Sequence, residues 1–206
     1  MSRLLIVGAR AMGRETCSYA RECGIDVKGF LDSKPSALDG FVGYPPILGA
    51  VEDYQPTDDD VFIVALGEPE YKEKYAEIVA SKGGSFLSIV HPTAYIGSNV
   101  RIGVGCIICP FAVVTNDTLI GDHVIVNVSS SINHDNWIGD FSTICPGVRL
   151  AGRVNLGRKV FVGTGALIIP DVTLGDDVFV AAGATVTKSF RRGRLMGVPA
   201  EDKGAS

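Results

Sequence analysis

From Ile96 onward every sixth residue is aliphatic: Ile96, Ile102, Ile108, Val114, Ile120, Val126, Ile132, Ile138, Ile144, Leu150, Leu156, Val162, Ile168, Leu174, Val180 and Val186. Drawn from a chain that is 46% hydrophobic, so long an unbroken register has a chance probability of about one in 10⁵. The residue after the aliphatic one is often glycine (Gly97, Gly103, Gly121, Gly139, Gly157, Gly163, Gly175), and the fourth after it is mostly small or valine. A period of six suits neither a helix at 3.6 residues per turn nor a hairpin meander. It suits a parallel β-helix, in which each short strand points one aliphatic side chain inward and a glycine-containing corner follows. Three hexads make one coil of about 18 residues, and coils stack at about 4.8 Å through backbone hydrogen bonds. One coil buries too little to offset the ordering of its own residues, so stacking is obligatory.

The pattern before residue 90 differs. Strand-like runs at Leu4–Val7, a run ending at Asp32, and Val61–Leu66 alternate with helical stretches ending near Gly24 and Lys82, and a short strand over Phe86–Val90 leads into the repeat. Alternation of this kind predicts a small parallel Rossmann-like sheet over residues 1–89, with a ligand cleft at the carboxyl ends of its strands, followed by coils over residues 90–206.

Composition narrows the partners. A net charge of −4 over 206 residues offers no general attraction to nucleic acid. Five scattered cysteines, an odd number, suit free thiols in a reducing compartment better than a disulfide framework. The opening "MSRLLIVGAR" lacks a leader pattern, and the longest weakly polar run, near Gly103–Val114, is too short to span a bilayer. The expectation is a cytoplasmic protein with no membrane partner.

Two places can carry chemistry. In the first half Gly8, Ala9, Arg10, Gly13, Asp32 and Gly67 fall at strand ends. The turn "GARAMG" lacks the central glycine of the dinucleotide fingerprint, which disfavours NAD, but a glycine turn opening a helix can hold a phosphate on its free amides. Asp32 can accept from ribose hydroxyls. In the second half His134, within "SSSINHDNWIGD", lies two places after a ladder residue and therefore on the coil surface. Gly152 follows 18 residues later, in the same column one coil above. A histidine beside a bare glycine leaves room for a ligand and a backbone N–H facing it. Acyl transfer needs a base and an N–H donor for the oxyanion, and an imidazole titrates near neutral pH. His91, His123 and His134 occupy different hexad positions, which argues against a shared zinc site. Cys106 and Cys109 have zinc-finger spacing without a second pair, so no metal is expected.

The repeat from Val90 to Ala200, with "GVPA" at 197–200, resembles the hexapeptide-repeat acyltransferases, and that resemblance implies a left-handed β-helix. The combined chain resembles a narrower bacterial group, the sugar-nucleotide N-acetyltransferases and sialic acid O-acetyltransferases typified by the enzyme making diacetamido-bacillosamine. The matching features are the turn Gly8–Gly13, Asp32, "HPTA" at His91–Ala94 and "NHD" at Asn133–Asp135. The resemblance implies acetyl-CoA as co-substrate, His134 as base, the Gly152 amide as oxyanion donor and Asp135 as the group that orients the imidazole. It also implies a homotrimer whose pantetheine groove runs between subunits. That groove would be lined by Thr164, Ala181 and Ala182, with Asn127 and Thr143 on the sugar side and the basic run Lys188, Arg191, Arg192 and Arg194 suited to the coenzyme phosphates. The implied substrate is a nucleotide-linked amino sugar of the 4-amino-4,6-dideoxyhexose type, used for surface glycans. Sialic acid O-acetylation is the alternative within the group, and a noncatalytic sugar-nucleotide-binding module is the alternative outside it.

Overall fold

A computed structural model describes residues 3–197 and the backbone of 201–202; the "VPA" of the family-like ending lies outside the described residues. The first half runs β1 (Arg3–Val7), α1 (Ala11–Glu22), β2 (Val27–Leu31), a 3-10 turn at Pro35–Leu38, β3 (Asp60–Val64), α2 (Pro69–Ser81) and β4 (Ser85–Phe86). All pairings in this sheet are parallel, in the order β2-β1-β3-β4. Its strands are near-continuous apolar runs because helices cover them: Leu4, Leu5, Ile6, Phe30, Phe62 and Ile63 are all buried.

The second half is a three-sided prism of two-residue strands. The first face is built on Val90, Ile108, Val126, Ile144, Val162 and Val180; the second on Ile96 through Val186; the third on Ile102 through Leu174. Each strand pairs in parallel with the one 18 residues away, as Ile120 pairs with Ile102 and Ile138. The register persists to Val186 and then breaks, since Leu195 pairs with Val180 at a separation of 15 residues. The coil begins at Ile89, which already pairs with Ile107. Inside the prism the ladder residues and those four places later form one cluster. Ile138 is fully buried between Ile120 and Leu156 on its face. Ile138→Ala is expected to cost about 2–5 kcal/mol, the usual penalty for emptying a tightly filled site, measurable by chemical denaturation.

The corners form differently from the sequence expectation. The bend lies three places after each ladder residue, where every residue from Asn99 to Gly183 has φ between 55° and 70°. Eleven of these fifteen are not glycine, Phe111, His123, Asp135 and Lys159 among them. Each costs about 1 kcal/mol relative to ordinary backbone, which the coil-to-coil hydrogen bonds must offset. The glycines one place after the ladder residue serve close approach instead. A Cβ on Gly121 would stand 2.3 Å from Asp140 Oδ1, and one on Gly163 would stand 2.5 Å from the amide nitrogen of Ala182.

The first half docks on the first face. Ile107, Cys109 and Ile125 point outward from that face into one core with Leu4, Ile6, Cys17 and Phe30. Burial pushes the Cys109 thiol up to about 12. The rim is pinned by His91, whose Nε2 lies 2.7 Å from Glu22 of α1, and by Glu73, which pairs with Arg158 and Lys159.

Candidate functional site

The edge between the second and third faces carries His134. The ladder residue Ile132 anchors its strand, Asp135 makes the left-handed bend at φ 58°, and the next strand starts at Trp137. Three bonds from the buried Asn136 fix this segment. Its amide nitrogen donates to the carbonyls of Asn133 and Ala151, and its oxygen accepts from the Val154 amide at 2.6 Å. Arg153 adds a fourth, donating from its amide to the His134 carbonyl. Sequence reasoning passed over Asn136. Its signal was available: a polar residue stands where most hexads place a small residue or valine.

On this frame the imidazole and the Asp135 carboxylate, each about half exposed, form a pair with Nδ1 at 2.7 Å from Oδ2. A carboxylate acceptor assigns the proton to Nδ1 and leaves Nε2 with its lone pair free. The other side of the ring overlies Gly152, where a Cβ would stand 2.6 Å from Nε2 and 2.5 Å from Cε1. The Gly152 amide is also uncommitted. At equivalent hexad positions an Asn or Asp one coil above accepts the amide proton, as Asn116 does from Ser98, Asp140 from Asp122 and Asp176 from Arg158. Above Gly152 comes Pro170, which has no acceptor side chain, and among the described residues Gly152 N–H donates to no protein group. A proton acceptor and an unpaired donor thus sit together on an exposed edge. Asp135→Asn should lower kcat about tenfold to a hundredfold, less than the 10⁴-fold seen where a triad aspartate is buried, because water partly replaces a half-exposed partner. Steady-state kinetics at fixed pH checks this.

The second place is a cleft of about 410 Å³ at the carboxyl ends of the first-half strands, lined by Gly8, Arg10, Asp32, Val51, Leu66 and Tyr71 among others. Gly8 has φ 96°, and a Cβ on Gly13 would fall 1.8 Å from the Gly8 carbonyl oxygen, so the turn closes only with glycine at both positions. Asp32 braces this turn, accepting the Ala9 amide on Oδ2 and the Lys34 amide on Oδ1, each at 2.9 Å. Helix α1 has no side-chain cap, so its first amides are left without a side-chain acceptor from the cap residue Arg10, which lines the cleft. Tyr71, on the first turn of α2 and well exposed, escaped sequence reasoning because its spacing reads as an ordinary helix surface.

Other expected site residues are dispersed. Thr143 does not face a sugar: it is buried, donates to the Gly67 carbonyl at 2.7 Å and accepts from Lys72. Gly67 stands next to the cleft-lining Leu66 with its carbonyl committed to that bond. Thr164, Ala181 and Ala182 lie on the edge between the first and second faces, a different edge from His134, with Asn127 three coils below Ala181 and its side-chain oxygen accepting the Val128 amide. The basic run does not form one patch. Lys188 and Arg194 lie over separate rings, Phe190 and Phe179, and Arg191 stands beside Gly175. The histidines are apart too: His91 holds Glu22, and His123 lies between Phe86 and Phe141.

Comparison with known proteins gives this geometry a context. Residues 3–79 match the family described as PglD N-terminal domain, and residues 153–188 match bacterial transferase hexapeptide (six repeats). The whole fold superposes with a TM-score of 0.91 on PerB from Caulobacter crescentus in complex with CoA and GDP-perosamine, at 28% identity and covering 99% of this chain and 98% of that one. The chain is an acetyltransferase that joins a PglD-type N-terminal region to bacterial transferase hexapeptide repeats. The acetyltransferase domain of PglB from Neisseria gonorrhoeae FA1090 also superposes, with a TM-score of 0.89 at 27% identity, covering 98% of this chain and all of that one. The GDP-perosamine N-acetyltransferase of Escherichia coli O157:H7 is 29% identical over 168 residues, which is 79% of this chain and 76% of that protein. Likeness over the full length takes in both halves, the small parallel sheet and the parallel coils, and agrees with the expected left-handed β-helix. No helix among the described residues is long and apolar enough to cross a membrane.

Proposed function

We propose that the protein transfers acetyl from acetyl-CoA to the amino group of a nucleotide-linked 4-amino-4,6-dideoxyhexose destined for a surface glycan, with His134, Asp135 and Gly152 as its catalytic groups. The observation that carries this is the imidazole lying over a glycine whose amide has no acceptor among the described residues, in a fold shared over its full length with an enzyme crystallised with CoA and GDP-perosamine. As the sugar amine attacks the thioester carbonyl, Nε2 of His134 takes the amine proton. Asp135 holds Nδ1–H and balances the charge on the ring, and the Gly152 amide meets the oxygen that becomes negative. The proton held by His134 then passes to the departing sulfur. The nucleotide occupies the first-half cleft, with phosphate at the Gly8–Gly13 turn and ribose near Asp32. A guanine nucleotide is favoured by the relatives' substrate.

The arrangement of one chain supports the expected homotrimer. The nucleotide cleft belongs to the half docked on the first face, whereas His134 stands on the edge opposite that face, and the Thr164–Ala182 groove runs along a third location. The three are brought together by placing the edges of separate copies side by side. The deciding experiment measures thiol release from acetyl-CoA with GDP-, UDP- and dTDP-linked 4-amino sugars and with free sialic acid. The expected result is turnover with a nucleotide amino sugar, the GDP form first. Turnover with sialic acid alone makes the protein an O-acetyltransferase, and binding without turnover makes it a noncatalytic module.

A further inference from the structure

At the joint between the halves Lys72 of α2 is fully buried, its Nζ 2.9 Å from the Ser142 carbonyl and 2.7 Å from Thr143 Oγ1. No carboxylate pairs with it among the described residues. The groups that face it are Glu68 at the N-terminal cap of its helix, Cys106 and Cys145 from the coils, and the His123 corner. Two acceptors match the two N–H bonds of a neutral amine, whereas an ammonium would bury a third N–H without a partner. Thr143, spending its lone pair on Lys72, gives its own proton to the carbonyl of Gly67, in the loop after β3 that carries the cleft-lining Leu66. The chain Lys72–Thr143–Gly67 thus runs unbroken from a coil of the prism to the wall of the nucleotide cleft.

We propose that neutral Lys72 is a positioning residue that locks the loop after β3 to the prism, and that its protonation in mild acid releases this lock and weakens nucleotide binding. The inference rests on the assignment of the cleft to a nucleotide. Burial lowers the lysine to about 7 from its ordinary 10.5. Between these values the unfolded chain holds a proton that the folded chain lacks, so stability rises with pH from about 7. Below that both states are charged and the burial penalty is constant. The buried thiols, raised from 9, act oppositely at higher pH and cancel when a variant is compared with the parent at or below pH 8.

Lys72→Gln keeps two N–H donors and cannot titrate; Lys72→Arg keeps the charge at every pH. In denaturant titrations from pH 7 to 8, the folding equilibrium constant of the parent is expected to rise about fivefold relative to Lys72→Gln. Calorimetry with GDP is expected to show a dissociation constant that grows several-fold from pH 8 to 6 in the parent, stays flat relative to it in Lys72→Gln, and is raised throughout in Lys72→Arg. In turnover assays KM for the nucleotide sugar follows the same order and kcat does not. Parallel pH responses of parent and Lys72→Gln in both measurements overturn the proposal, whether or not Lys72→Arg folds. If GDP binds to no form, the nucleotide assignment fails, while the denaturant comparison still decides the state of Lys72.

Discussion

His134→Ala is expected to lower kcat by about 10³-fold while CoA and nucleotide dissociation constants stay within about threefold of the parent. The magnitude is that of a positioned general base. Binding is preserved because the side chain is half exposed on a coil edge, and its backbone is held by bonds that the substitution leaves in place, those from Asn136 and Arg153. Thermal unfolding should therefore be unchanged. Single-turnover thiol release, with calorimetry of CoA and nucleotide, separates the two effects. Unchanged turnover would remove the imidazole from the chemistry and favour a binding module.

Gly152→Ala is the second large effect, about 10²-fold in kcat. Ordinary backbone angles permit alanine there, so the fold should persist, but the new methyl would stand 2.5 Å from the His134 ring. That distance lies far inside van der Waals contact, and the neighbour that yields is the imidazole, which then leaves its bond to Asp135 and its place over the amide. A double-mutant cycle sharpens the test. If the methyl acts by displacing the ring, combining it with His134→Ala costs much less than the product of the single effects. A fully multiplicative loss instead shows that the methyl obstructs the amide independently.

The prism was legible because its rule is local and repeated: one aliphatic side chain per hexad cannot be buried except by stacking, and the column of His134 and Gly152 follows by counting 18. The location of the bends was not legible. Left-handed backbone is ordinarily a glycine signature, whereas here Phe111, Lys159 and Asp177 adopt it because hydrogen bonds from adjacent coils dictate the angle. Tertiary hydrogen bonding overrode the local preference. Thr143 was misread for a related reason. On an isolated prism it would face outward, and only the docking of α2, which the repeat does not encode, buries it and commits its hydroxyl. Lys72 gave no signal at all, since a lysine in an amphipathic helix reads as solvated. Asp32 was placed correctly at a strand end, but its bond to the Ala9 amide, which makes it a brace for the turn, depends on a strand-to-strand separation that spacing does not reveal.

The uninterrupted hexad register also constrains how genes of this type can change in length. Removing six residues between the docked half and His134 would swing everything downstream by a third of a revolution, turning the reactive edge toward a different side of the prism. Removing 18 would shift it by one storey, about 4.8 Å, with its compass bearing intact. Insertions and deletions in this stretch should therefore be tolerated in whole revolutions and rejected in single hexads.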